Sequence, residues 1–247
     1  MARSRSSRAA SRWISADANR EAMRILRSNL LISLTDLANP VVIVTSARAG
    51  EGKTATCAGL AQSLSQANLR VVLVDMDLRH PDAHRWIGGH NEHGVVDVLR
   101  ERHSLQQSLQ FIDSGRRGTG NGGGLYFLAA GEVVPNPTEL LGTTQTSLLF
   151  KSLAKQADIV LLDTAPVLPV ADTLVIGRMA AGAILVVEAA RTPINAVQEA
   201  KASLIRSQTR LLGLVLNQLG ERSLRFRYAH GDSKGVRDAR NDVAARS

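Results

Sequence analysis

Val41-Val-Ile-Val-Thr45-Ser-Ala47-Arg-Ala-Gly50-Glu-Gly52-Lys53-Thr54 decides how the rest of the chain is to be read. Its first half is short, β-branched and almost wholly apolar, as in a strand buried on both faces of a parallel sheet. Its second half turns through two glycines and opens a small-residue helix from Ala55 to Gln66. Strand, glycine-rich turn and helix in that order are the setting of a phosphate loop. Backbone N–H groups turn inward around phosphate oxygens, and the helix N-terminus adds partial positive charge. Ala49, Gly50, Glu51, Gly52, Lys53, Thr54 and Ala55 are therefore the expected nucleotide-binding segment. Lys53 would neutralise the β and γ phosphates, and Thr54 would offer a hydroxyl to Mg2+, a hard ion that takes oxygen ligands. ATP and Mg2+ are the expected cofactors. Ala47 stands where the usual pattern has glycine, which is tolerable if its φ is negative.

Outward from this segment, similar apolar runs recur at Val71 to Val74, Leu125 to Ala129, Ile159 to Leu162, Ala183 to Val187 and Leu212 to Leu216, separated by helix-like stretches. That βαβ rhythm predicts an α/β fold, a doubly wound, mostly parallel sheet of the P-loop NTPase kind with at least six strands. The second run ends in Val72-Leu-Val-Asp75-Met-Asp77-Leu-Arg79, placing two carboxylates two residues apart and on one side if extended. A third carboxylate, Asp163, ends Ile159-Val-Leu-Leu. In open α/β sheets such strand ends line the ligand crevice, so the three converge with the phosphate loop on one Mg-nucleotide site. Ahead of the first strand, a helix is expected from Ser15 or Asp17 to about Leu37. Met23, Ile25, Leu26, Leu30, Leu31 and Leu34 form its apolar side, and Glu21, Arg24 and Arg27 recur every three residues on a solvated face.

Three segments are expected: a disordered basic arm over 1–14, one P-loop domain over 15–220, and a basic, disordered tail over 221–247. The glycine-rich stretch Asp113 to Gly124 contains Gly118, Gly120 and Gly123 at dinucleotide-fingerprint spacing. It precedes a strand instead of linking a strand to a helix, and is read as a loop. With 44% hydrophobic and 21% charged residues among 247, the chain can build a sizeable core. A net charge of +8 implies attraction to anionic surfaces, while 3% aromatics and no nucleic-acid motif argue against a specific nucleic-acid partner. The single Cys57 fits a reducing cytosol, and no Cys and His cluster has metal-ligand spacing. Neither a signal-peptide core nor an apolar stretch of about 18 residues occurs, so the chain is expected to be cytoplasmic.

The combination of Gly50-Glu-Gly-Lys-Thr54, Asp75-Met-Asp77-Leu-Arg79 and a later apolar strand ending in Asp163 resembles the bacterial tyrosine kinases of capsule and exopolysaccharide synthesis. Glu21-Ala-Met-Arg24-Ile-Leu-Arg27 looks like that family's oligomerisation helix. Gly131, Pro135-Asn-Pro-Thr-Glu-Leu-Leu141 and Leu212-Gly-Leu-Val-Leu-Asn217 extend the likeness over about residues 17–220. The resemblance implies an ATP-dependent protein-tyrosine autokinase regulating polysaccharide synthesis and export. Lys53, Thr54, Asp77 and Asp163 would surround phosphate and metal, Asp75 would be a candidate base for an incoming tyrosine hydroxyl, and Asn217 would touch the adenine. It further implies homo-oligomers built through Glu21, Arg24 and Arg27, protein tyrosine substrates, and a separate membrane-spanning co-polymerase adaptor that recruits the chain to the inner face of the cell membrane. The family usually carries a terminal tyrosine cluster; here Tyr228 is the candidate phospho-acceptor, Tyr126 falling in an expected strand. Ala49 and Ala165 stand where the family commonly has proline.

Two other readings compete. The ParA/MinD partitioning ATPases share the loop and strand order and act as ATP-dependent dimerisation switches. Their signature lysine, five residues before the phosphate-loop lysine, is here Arg48, whose planar fork does not simply replace an ammonium. A non-phosphorylating, ATP-binding regulator of polysaccharide assembly is the third reading.

Overall fold

The computed structural model describes residues 17–37, 40–113 and 123–218. The expected arm, the tail with Tyr228 and most of the glycine-rich stretch lie outside these residues. In chain order the elements are α1 (Asp17–Ser33), β1 (Val41–Ser46), α2 (Lys53–Gln66), β2 (Arg70–Asp75), α3 (Ala83–Ile87), α4 (Val95–Leu99), α5 (Leu105–Ser108), β3 (Leu109–Ile112) and β4 (Gly124–Leu128). They continue with α6 (Pro137–Leu141), α7 (Thr144–Ala154), β5 (Ile159–Asp163), α8 (Asp172–Gly177), β6 (Gly182–Glu188), α9 (Ile194–Arg206) and β7 (Leu211–Asn217).

One seven-stranded sheet in the order β3-β4-β2-β5-β1-β6-β7 organises the molecule. All pairings are parallel except β3 with β4. The apolar runs of the central strands are explained by a core on each face. Ile43, Val72, Val74, Val160 and Leu162 pack on one side with α7 and α9 through Phe150, Leu153, Ala200 and Leu204. Val42, Val44, Leu73, Leu161 and Val186 pack on the other with α1, the turn after it and α2 through Leu30, Leu34, Leu60 and Leu64. Successive strand residues point to opposite faces, so a strand covered on both must be apolar throughout.

Two features depart from the expected elements. Strand β3 is additional, a four-residue edge pairing antiparallel to β4, with Phe111 exposed and edge-on to Tyr126 at 5.6 Å between ring centroids. Helix α1 stops at Ser33, four residues before the expected end, where the Ser33 and Thr35 hydroxyls bond the carbonyls of Asn29, Leu31 and Ile32. Such local bonds compete with the helical ladder. The face of α1 is also narrower than expected: Leu26 and Leu30, with Leu34 in the turn that follows, meet the core, whereas Ile25 and Leu31 are exposed.

The topology assembles the site. Strand β5 lies between β1 and β2, with Asp163 in register with Val44 on one side and Asp75 on the other. Neighbouring strands run about 4.8 Å apart. The phosphate loop leaving β1 and the carboxylates ending β2 and β5 thus emerge side by side.

Candidate functional site

The loop between β1 and α2 holds its shape through glycine conformations and side-chain braces. Gly50 and Gly52 sit at φ +86° and +90°, in the left-handed region that glycine adopts without strain. Ala47 is not among the positive-φ residues, so the alanine at that position carries no such cost. Glu51 is buried. Its carboxylate accepts hydrogen bonds from the Arg48 amide at 3.1 Å and the Thr192 hydroxyl at 2.5 Å, tying the loop to the turn after β6. Its carbonyl accepts a hydrogen bond from the Asn217 side-chain amide at 2.9 Å. A Cβ on Gly52 would approach that same Asn217 nitrogen to 1.9 Å, so position 52 admits glycine alone. Asn217 braces the loop from behind, and the neighbouring Gln218 lines the cleft in front of it.

Lys53 opens α2 and points to the strand ends. Its ammonium lies 2.9 Å from an Asp77 oxygen, 3.7 Å from an Asp163 oxygen and 3.2 Å from the Thr54 hydroxyl. Burial acts to lower the Lys53 pKa, and the Asp163 and Asp77 charges overcome it and raise it above its ordinary value. Asp163 is 1% exposed, and neither of its carboxylate oxygens has a hydrogen-bond partner. Burial pushes its pKa up from 3.8 to about 6, against the pull of Lys53. A desolvated carboxylate with unfilled acceptor positions, beside a second carboxylate and a threonine hydroxyl, is an oxygen donor set that fits Mg2+.

Asp75 sits differently. One oxygen accepts the Asp77 amide at 3.2 Å and the other the Ala83 amide at 3.1 Å, fixing the turn from β2 into α3. It is fully buried, and burial together with the Asp163 charge raises its pKa well above the usual carboxylate range. Asp77, by contrast, lines a cleft of about 810 Å3 together with Lys53, Thr54, Arg79, Pro166 and Gln218. That volume suits a nucleotide-sized ligand.

Sequence reading alone passed over the support of Arg79. Its guanidinium grips buried Asp172 through two hydrogen bonds of 2.6 and 3.1 Å and reaches the Pro135 carbonyl at 3.3 Å. Thr138 closes the network with a short hydrogen bond from its hydroxyl to Asp172. The end of β2 is thereby locked to α6 and α8, joining the Asp-x-Asp-x-Arg stretch to Pro135-Asn-Pro-Thr138.

The candidate oligomerisation residues divide. Glu21 and Arg24 pair with each other at 3.0 Å on the exposed side of α1. Arg27 turns inward and donates to the Ser63 carbonyl of α2 at 2.7 Å, holding the two helices together within the chain.

Comparison with known proteins agrees with this fold. Residues 42–230 match the family model of the CobQ/CobB/MinD/ParA nucleotide binding domain. The tyrosine-protein kinase YwqD of Bacillus subtilis is 34% identical over 199 residues, covering 81% of each chain. The putative tyrosine-protein kinase AmsA of Erwinia amylovora is 32% identical over 210 residues, 84% of this chain but 27% of AmsA, so the chain spans about a quarter of that relative. Among solved structures, the kinase domain of the Escherichia coli tyrosine kinase ETK superposes with a TM-score of 0.77 at 29% identity, over 84% of this chain and 78% of that domain. The chain belongs to the CobQ/CobB/MinD/ParA nucleotide-binding family and, within it, to the bacterial tyrosine kinases.

Proposed function

We propose that the chain transfers the γ-phosphoryl group of ATP to tyrosine hydroxyls of proteins, in the service of polysaccharide synthesis and export. The observation that carries this reading is Lys53 held between Asp77 and Asp163 beneath a preformed phosphate loop. Family membership and the likeness to named tyrosine kinases support it.

In the proposed reaction the backbone amides of Ala49 to Ala55 and the Lys53 ammonium hold the phosphates. The tyrosine oxygen forms a bond to the γ-phosphorus, the bond from that phosphorus to the β,γ-bridging oxygen breaks, and ADP leaves. Thr54, Asp77 and Asp163 are the residues that would hold Mg2+, which when bound supplies charge neutralisation across the phosphates. Lys53 offsets charge building on the leaving oxygen, and because its partners are already in place little reorganisation is needed. The phenolic proton passes to a carboxylate. Asp75 is the candidate of the family pattern, but both of its oxygens are engaged by backbone amides. Asp77, the other candidate, lines the cleft but takes the His80 amide on one oxygen and the Lys53 ammonium on the other, so the base is one of this pair. Asn217 is assigned to bracing Glu51, and adenine contact to its neighbourhood, where Gln218 lines the cleft.

Glu21 and Arg24 are proposed to pair across subunits of a homo-oligomer. No helix among the described residues is long and apolar enough to cross a membrane. Recruitment to the inner membrane face is proposed, from the family resemblance, to run through a separate membrane-spanning adaptor.

The decisive experiment incubates the purified chain with γ-labelled ATP and Mg2+ beside Lys53→Ala and Tyr228→Phe, with phosphoamino-acid analysis and a parallel phosphate-release assay. Phosphotyrosine that depends on Lys53 is expected, and its loss in Tyr228→Phe would name the acceptor. Phosphate release with no phosphotyrosine, even with added tyrosine peptide, would overturn the kinase assignment in favour of an ATPase switch.

A further inference from the structure

Beyond the C-terminal end of β4, the short helix α4 is hung from the strand by hydrogen bonds from the Val95 and Val96 amides to the Ala129 and Ala130 carbonyls. Gly94 permits this approach, since a Cβ there would lie 2.0 Å from the Ala129 oxygen. The close packing brings together three side chains from before, within and after α4. His93, Asp97 and His103 each offer one ligating atom, and these atoms lie within 4.8 Å of one another. The imidazoles stack with ring centroids 4.2 Å apart and planes inclined at 30°.

We propose that His93, Asp97 and His103 bind a divalent transition-metal ion of the zinc class, at a site separate from the nucleotide cleft. Two observations favour an ion over a packing accident. The Nδ1 atom of His103 is shut off from solvent and has no hydrogen-bond partner. Asp97 is buried, and one of its oxygens accepts the Gly94 amide at 2.9 Å, which orients the carboxylate and leaves the other oxygen for a cation. Two imidazole nitrogens and one carboxylate oxygen are a borderline-soft donor set that suits Zn2+, Co2+ or Ni2+ over Mg2+, with a fourth position open to water. The amide bond to Asp97 is the kind of outer support that ligating carboxylates carry.

The opposing charge is Arg102, whose guanidinium is 4.0 Å from the second Asp97 oxygen. It is also bound to Glu132 at 3.1 Å, a carboxylate it shares with Arg100, so its charge is only partly neutralised and opposes the ion. His93 is exposed, so the ion is reached from solvent. Once bound, it would staple the connection after α4 back onto the helix.

The test uses the full chain stripped of metal, held in saturating Mg2+ so that the hard-ion site is filled, and titrated with Zn2+ against a chromophoric chelator, with Co2+ in parallel. Asp97 caps α4 and its replacement risks unfolding, so the variants are His93→Gln, His103→Gln and their combination, each checked by circular dichroism. One zinc equivalent per chain is expected, weakened by about tenfold or more in each single variant and lost in the double. Co2+ on the unaltered chain should give the strong visible absorption of a four- or five-coordinate site, absent from the double variant. Retention of the zinc equivalent by a folded double variant would place the ion elsewhere and overturn the proposal. So would failure of the unaltered chain to bind at micromolar zinc.

Discussion

Replacing Asp163 by asparagine should stabilise the metal-free protein while removing its response to Mg·ATP. In the unfolded chain this carboxyl ionises near pH 3.8, and in the fold near pH 6, because burial penalises the charged form more than Lys53 at 3.7 Å favours it. The fold therefore holds the proton more tightly, and stability present below pH 3.8 is lost as pH rises through about 6. At about 1.4 kcal/mol per pH unit, the displacement amounts to about 3 kcal/mol at neutral pH. That value already contains the attraction of Lys53, so an uncharged isostere recovers up to this amount, less whatever its own amide leaves unbonded. We expect a net gain of about 1–3 kcal/mol, or on the order of 2–10 °C in Tm for a domain of this size. The assay is urea unfolding of both proteins without metal or nucleotide at pH 7.5 and pH 4.5. The advantage of Asp163→Asn should be large at the first pH and shrink at the second. Addition of Mg·ATP should then raise the unaltered protein's midpoint and move the variant's little. A variant less stable than the parent at pH 7.5 without metal would refute the reasoning, since the carboxylate would then contribute net stability through Lys53.

Three further outcomes follow from named contacts. Gly52→Ala combines a φ of +90° with a 1.9 Å clash against Asn217, so nucleotide binding measured by fluorescent-analogue titration should be lost. Adding Asn217→Ala relieves the clash but not the backbone strain, and should return only part of the stability. Arg79→Lys removes the two-pronged grip on buried Asp172 and should cost about 1–3 kcal/mol in urea unfolding. Because Arg79 holds the segment carrying Asp77, its loss should lower kcat more than it weakens ATP binding; an unchanged kcat would separate the clamp from the chemistry. Arg24→Ala should reduce particle mass in light scattering with no change in Tm. Arg27→Ala should also lower Tm, through loss of the bond to Ser63, by about 1 kcal/mol equivalent. Unchanged mass when Arg24→Ala and Arg27→Ala are combined would remove α1 from the interface.

The parts of the fold legible beforehand were those encoded by neighbours in sequence. The two-sided burial of β1, β2 and β5 forces uninterrupted apolar runs, and the phosphate loop needs its glycines at fixed spacing; both can be read without knowing what lies opposite. Strand-end logic also grouped Asp75, Asp77 and Asp163, since consecutive parallel strands must present their ends together. It did not separate Asp75, held by amides of Asp77 and Ala83, from the two carboxylates that face Lys53. Strand β3 was missed because an edge of four residues containing Gln110 has too little period to read. The exposure of Ile25 and Leu31 depends on where α2 lies, which no helical periodicity in α1 contains. Arg79 with Asp172 and Thr138, and His93 with Asp97 and His103, are assembled by tertiary placement from residues that give no local signal.

The bond from Asn217 to the Glu51 carbonyl spans 166 residues, from the motif near the start of the chain to the last residue of β7. During synthesis the glycine loop leaves the ribosome long before the amide that holds it. A nascent chain can complete β1, α2 and β2 and still lack this brace until β7 has docked beside β6. A chain cut short of β7 therefore presents the motif in sequence without the brace that Asn217 supplies.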